Sequence, residues 1–252
     1  PRSVLRWGDN AGVMTEPTIL TNALRLHIDK AIAQAGGWVG FDQFMAMALY
    51  TPGLGYYAND TAKFGAMPDS GSDFVTAPGL SPAFGQLLAA QVAEALAKTG
   101  TQEVWEFGAG TGALALQVLD ELQRLGVEVA RYTIVDLSGT LRERQQARLA
   151  VHAPKVVWAN ELPAQMHGVV IGNEVLDAMP VHIIARVNGE WFERGIAVEG
   201  EQLVWANRPT ELRPPLEVDG EHDYETEIHP QGEAFIRTLG ERLDRGAAFF
   251  ID

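Results

Sequence analysis

Glu106 to Gly112, reading E-F-G-A-G-T-G, is the stretch that most limits how this chain folds. It follows the short apolar run Val104-Trp105 and precedes Ala113, Leu114, Leu116, Val118, Leu119, Leu122 and Leu125, which recur at helical spacing. That order predicts a buried strand, a glycine turn and an amphipathic helix. Three glycines spaced by two let the backbone turn tightly and approach a ligand without Cβ clashes, while free N–H groups of the new helix face it. A second apolar run, Tyr132-Thr133-Ile134-Val135, ends in Asp136 one helix and one strand later. A carboxylate there is placed to accept both hydroxyls of a ribose.

Two cofactors suit such a loop. Gly108-Ala109-Gly110-Thr111-Gly112-Ala113 satisfies the G-x-G-x-x-A form of the dinucleotide fingerprint, which keeps NAD in view. Glu106 favours the other reading. An acid two residues before the first glycine is awkward beside a pyrophosphate, but it suits the ammonium and sulfonium of S-adenosylmethionine.

Bulk properties narrow the class. At 252 residues and 46% hydrophobic, the chain can bury a full globular core in one domain with an appendage. Its formal charge of −14 disfavours nucleic-acid backbones and anionic membranes and points to a basic or cationic partner. Without cysteine there are no disulfides and no thiolate metal site, which fits a reducing compartment. No apolar run approaches the roughly 20 residues of a membrane span and no signal-peptide core opens the chain, so a soluble, non-secreted protein is expected. Histidines 27, 152, 167, 182, 222 and 229 lack metal-ligand spacing and read as structural or surface residues, so no metal is expected.

From Thr18 to Ala35 apolar positions recur at helical spacing, stopped by Gly36-Gly37. Phe41 to Leu49 form a second, short apolar helix ended by Thr51-Pro52-Gly53. Residues 58 to 78 carry little pattern and read as a lid, a binding segment or a disordered stretch. Ser81-Pro82 then caps a helix with Phe84, Leu87, Leu88, Val92, Ala95 and Leu96 on one face. Ser138 caps a charged helix carrying Leu141 and Leu149. Val156-Val157-Trp158 is a third strand, whose following loop brings Asn160 and Glu161 to a base edge. Gly168 to Gly172 is a fourth strand, ending in N-E-V-L-D-A-M-P, residues 173 to 180. An Asn, a Glu and an Asp within five residues of a strand tip are costly unless used.

Beyond 181 the period changes. V-H-I-I-A-R-V, Asn188-Gly189 and E-W-F-E-R-G-I-A-V signal a hairpin. Acids at every second position from Glu217 to Glu227 make either a solvated loop or, if extended, one negative face that steers a basic peptide. Pro230 opens a helix ended by Gly246, and Ala247 to Ile251 is a fifth core strand. The alternation argues for an α/β fold, a doubly wound, mostly parallel, Rossmann-like sheet with an inserted hairpin. A linear division follows: residues 1–100 as a helical and lid segment, 101–252 as the cofactor-binding core with an insertion at about 181–229.

With these residues in hand, the chain resembles the MidA family of class I methyltransferases, which includes a mitochondrial protein-arginine methyltransferase of respiratory complex I assembly. The resemblance runs from about Phe41 to Pro180 and rests on F-D-Q-F-M-A-M-A-L-Y-T-P-G-L-G-Y-Y (41–57), S-D-F-V-T-A-P (72–78), Phe84-Gly85, the glycine loop, Tyr132 to Ser138, Trp158 and N-E-V-L-D-A-M-P. The family reads G-D-F where this chain has Gly71-Ser72-Asp73-Phe74, and Glu where it has Asp136. The resemblance implies a seven-strand sheet whose last two strands would follow Asp252. It implies S-adenosylmethionine bound by Glu106, Gly108, Ala109, Gly110, Gly112, Asp136, Leu137, Asn160 and Glu161. The 41–85 segment, with Asp73, Thr76 and Pro78, would fold over it. It further implies a bacterial cytoplasmic protein, or one of the mitochondrial matrix, acting on an arginine of a protein partner.

For such an acceptor Glu174 is the candidate catalytic carboxylate, with Asp177 or Asn173 orienting it; Asp177 reads equally as a helix N-cap before Ala178. Three rival functions are a small-molecule methyltransferase, a nicotinamide reductase, and a non-catalytic assembly factor that keeps the fold. The reductase lacks an evident donor residue, since Tyr132 lies inside a strand with no Tyr-x-x-x-Lys pair.

Overall fold

Gly36-Gly37, Ser81-Pro82 and Asn188-Gly189 punctuate the chain where the sequence places them. The computed structural model describes residues 16–58, 77–136, 139–216, 219–220 and 222–252. Helix α1 (Glu16–Gln34) stops at Gly36 and Gly37, both with positive φ, and the Gly37 N–H closes on the Ile32 carbonyl at 2.8 Å. A short strand, β1 (Trp38–Gly40), runs straight into α2 (Phe41–Tyr50). After a single turn, α3 (Ala77–Leu80), Ser81 Oγ accepts the Ala83 N–H and Pro82 takes the first turn of α4 (Pro82–Thr99). Next come β2 (Glu103–Phe107), α5 (Ala113–Arg124), β3 (Arg131–Val135), α6 (Gly139–Arg148), β4 (Val156–Ala159) and β5 (Met166–Asn173). Strands β6 (His182–Val187), β7 (Glu190–Glu199) and β8 (Gln202–Pro209) follow as a meander. Asn188 (φ 51) and Gly189 (φ 82) make its first turn, as the Asn-Gly pair predicts. Strand β9 (Tyr224–Ile228), helix α7 (Pro230–Arg242) and β10 (Leu243–Ile251) end the chain.

One sheet is parallel throughout, in the order β10-β5-β2-β3-β4. Its central strands are covered on both faces and read as unbroken apolar runs: Val104, Tyr132, Ile134, Val169, Val170 and Ile171 are fully buried. Leu88, Val92 and Leu96 of α4, with Leu114, Val118 and Leu122 of α5, cover one face. The other face takes Phe235 and Leu239 of α7 against Trp105, Phe107, Met166 and Val170. The chain leaves β2 towards β3 and β4, then returns to β5 and β10 on the other side. The order therefore reverses between β2 and β5, where doubly wound sheets open a crevice at the carboxyl ends of their strands.

The second sheet is antiparallel, β1-β7-β6-β9 with β8 on the other edge of β7. Ile28 and Ile32 of α1 and Phe44 and Met47 of α2 pack with Val39, Ile196 and Leu203. The compact units thus cut across the linear division expected at residue 100. Residues 16–58 fold with 179–234, because β1 pairs with β7, while α3 and α4 belong with the parallel sheet because they pack on α5.

Other expectations need correcting. Leu87 and Leu125 are 72% and 42% exposed and leave the apolar faces assigned to them. Helix α7 ends at Arg242, not Gly246; Gly246 lies in β10, where a Cβ would stand 1.9 Å from the Gly168 carbonyl oxygen. The lid residues Asp73 and Thr76, and Leu137 and Ser138, lie outside the described residues. No described helix is long and apolar enough to cross a membrane.

Candidate functional site

The chain after β2 alternates through the left-handed region at Gly108 (φ 62), Gly110 (φ 53) and Gly112 (φ 78), which any side chain would strain. The Gly108 N–H bonds the Val135 carbonyl and the Gly112 N–H the Ala109 carbonyl, so the loop is pinned to β3 and closed on itself before α5 begins. Ala109 is buried in the core. Among the described residues no atom lies within 4 Å of where a Cβ on Gly110 would stand. The backbone there is bare and approachable, as a cofactor loop requires.

Beneath the loop sits a buried acid. Glu106 is 1% exposed, and the Tyr132 hydroxyl donates to its Oε2 at 2.7 Å. Burial pushes the Glu106 carboxyl up to about 7; the Tyr132 hydrogen bond opposes this and the charge of nearby Asp136 adds to it. Burial and the Glu106 charge push the Tyr132 hydroxyl well above its usual range, so it stays a donor.

Gln145, on α6, joins three parts of this site. Its Nε2 donates to Asp136 Oδ2 and to the Gly110 carbonyl, both at 2.9 Å, and its Oε1 accepts the Trp158 Nε1–H at 2.8 Å. It is fully buried, with both amide hydrogens and the oxygen in use. The helix is rich in charge and reads as a solvated face, which hides this residue in the sequence. The one signal is spacing: Leu141, Gln145 and Leu149 stand four apart and so share a face.

The tip of β5 lies against the same loop, since a Cβ on Gly108 would meet Val175 Cγ2 at 3.2 Å. Asn173 ends the strand, and Glu174 follows at φ 54, with its N–H on the Ile251 carbonyl at 2.8 Å. Asp252 Oδ1 accepts the Leu176 N–H at 2.9 Å and the Asp177 N–H at 3.3 Å. Residues 174–179 form a turn, so Asp177 caps no helix. Burial first, then the Asp177 hydrogen bond and charge and the charge of Asp252, raise the Glu174 carboxyl above its ordinary value.

The remaining candidates sit farther out. Asn160 and Glu161 are exposed after β4, and Asn160 Oδ1 accepts from Arg142 Nη2 at 2.8 Å. Pro78 is buried in α3, its carbonyl bonded by Gln117 Nε2 at 2.7 Å. In the other unit, Glu217 and Glu221 of the acidic run lie outside the described residues; Arg194 pairs with Glu225, and Asp223 Oδ1 accepts the Asn188 N–H. Cavities of about 320 and 620 Å3, lined by residues such as Leu119 and His152 or Glu103 and His167, do not include the glycine loop. The site is identified by topology and chemistry instead.

Comparison with known proteins agrees with the fold and with the cofactor. The sequence pattern of a family of S-adenosyl-L-methionine-dependent methyltransferases matches residues 87–252. Among solved structures, a COG1565 superfamily member from Burkholderia thailandensis bound to S-adenosyl-homocysteine is 46% identical, with a TM-score of 0.85 over 96% of this chain and 65% of that one. The mitochondrial protein arginine methyltransferase NDUFAF7 of Danio rerio is 25% identical over 86% of this chain and 59% of its own length. Its Caenorhabditis elegans homolog is 27% identical over 69% and 46%. The chain therefore spans about half the length of these two relatives. With the glycine loop, the buried Glu106 and the reversed strand order meeting at one edge, the chain belongs to the MidA family of S-adenosylmethionine-dependent, class I methyltransferases.

Proposed function

We propose that this chain binds S-adenosylmethionine at the carboxyl edge of its parallel sheet and methylates an arginine side chain of a protein partner. Family membership supports the donor, and the names of relatives at 25–27% identity support the acceptor. The observation that carries the reading is Glu174, an acid held in a left-handed backbone conformation on the turn packed against the glycine loop. Strained residues of this kind persist where the surrounding structure over-determines them.

When bound, S-adenosylmethionine supplies an electrophilic methyl group on a sulfonium sulfur. The bare backbone at Gly110 admits its methionine end, whose positive charge favours ionisation of the raised Glu106 carboxyl beneath the loop. Asp136, oriented by Gln145, takes the ribose hydroxyls. Asn160 and Glu161, exposed after β4, meet the base; the roles expected of Leu137, Asp73, Thr76 and Pro78 rest on the family resemblance.

A guanidinium is a poor nucleophile because its charge is delocalised. Glu174, with Asp177 or Asn173 orienting it, pairs with one edge of it, fixes the plane and draws positive charge away from the reacting nitrogen. An arriving cation also favours ionisation of a carboxyl that its neighbours keep above its ordinary value.

Calorimetric titration with S-adenosylmethionine and with NADH tests the donor, and transfer of a labelled methyl group to arginine-containing peptides, read by mass spectrometry, tests the acceptor. Binding of the methyl donor alone, with label on arginine, is expected. Tight binding of NADH alone overturns the donor assignment. Label on a small molecule overturns the acceptor, and cofactor binding without transfer to any acceptor favours the non-catalytic role.

A further inference from the structure

Three side chains able to bind metal converge in the antiparallel-sheet unit, from positions far apart in sequence. Asp42 comes from the first turn of α2, His182 from the start of β6 and Glu193 from β7. His182 Nδ1 stands 2.8 Å from Glu193 Oε1 and 3.7 Å from Asp42 Oδ1, and one ligand atom from each residue lies within 4.8 Å of the other two.

Register explains the convergence. Ile184 faces Glu193 across the β6–β7 ladder, so His182, two residues earlier, shares its face and is its diagonal neighbour. Gly40 faces Gly195 across the β1–β7 ladder, which sets Asp42 beside the same spot. Gly40 then leaves the room. A Cβ there would stand 2.4 Å from Asp42 Oδ1 and 3.0 Å from Glu193 Oε1, so both carboxylates reach over bare backbone.

The charge balance favours a cation. Two carboxylates this close repel, and one imidazole supplies at most a single positive charge. Arg208, the Cα partner of Glu193 on β8, stacks its guanidinium 4.6 Å from the Trp38 ring centroid; among the described residues it makes no ion pair with Glu193.

We propose that Asp42, His182 and Glu193 hold a divalent first-row transition ion of the Zn2+ or Mn2+ kind. One imidazole nitrogen and two carboxylates are a donor set such ions accept. Bonds of about 2.0–2.2 Å place neighbouring ligand atoms roughly 3 to 3.6 Å apart, and the observed 2.8 and 3.7 Å separations bracket that range. The three side chains are 19–27% exposed, which leaves an entry path and open positions for water. Bound there, the ion ties α2 to the β6–β7 hairpin. The histidine spacing that argues against metal in the sequence misses this set, because two of the ligands are acids and all three are joined only by strand pairing. The site stands independently of the methyl-transfer reading.

The test uses the tag-free chain stripped with EDTA, titrated calorimetrically with ZnCl2 and melted with and without Zn2+. One Zn2+ per chain and a melting temperature that rises with Zn2+ are expected. The near-isosteric Glu193→Gln and Asp42→Asn each lower the affinity at least about tenfold, with circular dichroism confirming their fold. If a variant does not fold, the stripped parent chain still decides. Absence of one-to-one binding to the parent overturns the proposal and leaves His182 hydrogen-bonded to Glu193 alone among the described residues. Binding that both substitutions leave unchanged overturns it too, since the ion then sits elsewhere.

Discussion

Tyr132 donates its hydroxyl hydrogen to Glu106 at 2.7 Å between neighbouring strands of the parallel sheet, with both side chains buried. The pair keeps an acid in a place that penalises its charge. A carboxyl raised from 4.5 to about 7 binds its proton more tightly in the folded chain than in the unfolded one. The resulting destabilisation is absent below about pH 4.5, grows between 4.5 and 7 and is complete above 7.

Glu106→Gln is accordingly expected to stabilise the cofactor-free protein at pH 8, by up to about 3 kcal/mol, and to give no such gain at pH 4. It should weaken S-adenosylmethionine binding at the same time. Denaturant titrations at the two pH values, with calorimetry on the same samples, check both halves. Equal stabilisation at both pH values would show that Glu106 does not carry the raised pKa.

Gln145→Leu removes the donors to Asp136 and Gly110 and the acceptor for Trp158 while roughly keeping volume. Unmet buried polar groups cost about 1–3 kcal/mol each. A stability loss of about 2–4 kcal/mol is expected, together with at least tenfold weaker cofactor binding. Unchanged cofactor affinity in a folded variant would show that Gln145 only packs.

Gly110→Ala and Gly246→Ala separate the loop from the core. At Gly110 the space is open but φ is 53, so about 1–2 kcal/mol is lost and cofactor affinity falls. At Gly246 the new methyl meets the Gly168 carbonyl oxygen, so stability falls further. Thermal melts rank the two, and the reverse ranking would contradict the β5–β10 contact.

Glu174→Gly relieves a left-handed backbone and is expected to raise stability by about 1 kcal/mol while abolishing transfer. Glu174→Gln should keep cofactor affinity within a few-fold and lower kcat by at least a hundredfold. A Glu174→Gln variant with full kcat would remove this residue from the chemistry.

Local pattern carried much of the fold. The strands near 104, 132, 156, 168 and 247, the Ser81-Pro82 cap and the Asn188-Gly189 turn were legible because each rests on residues adjacent in the chain. So was the glycine loop, where the conformation itself demands the residue type. The partition into units was not legible, because β1 meets β7 across more than a hundred residues and nothing near Trp38 announces the partner.

Residue type and spacing alone therefore establish a parallel α/β sheet, its cofactor turn and the acids at its edge, since periodicity and backbone freedom act over a few residues. Packing assigns the rest. Burial makes Glu106 reluctant to ionise, strand order sets Glu174 near the glycines, and the face shared by Leu141 and Leu149 turns Gln145 inward. Strand register gathers Asp42, His182 and Glu193. These are interactions between segments remote in sequence, and they exist only once the chain has closed on itself.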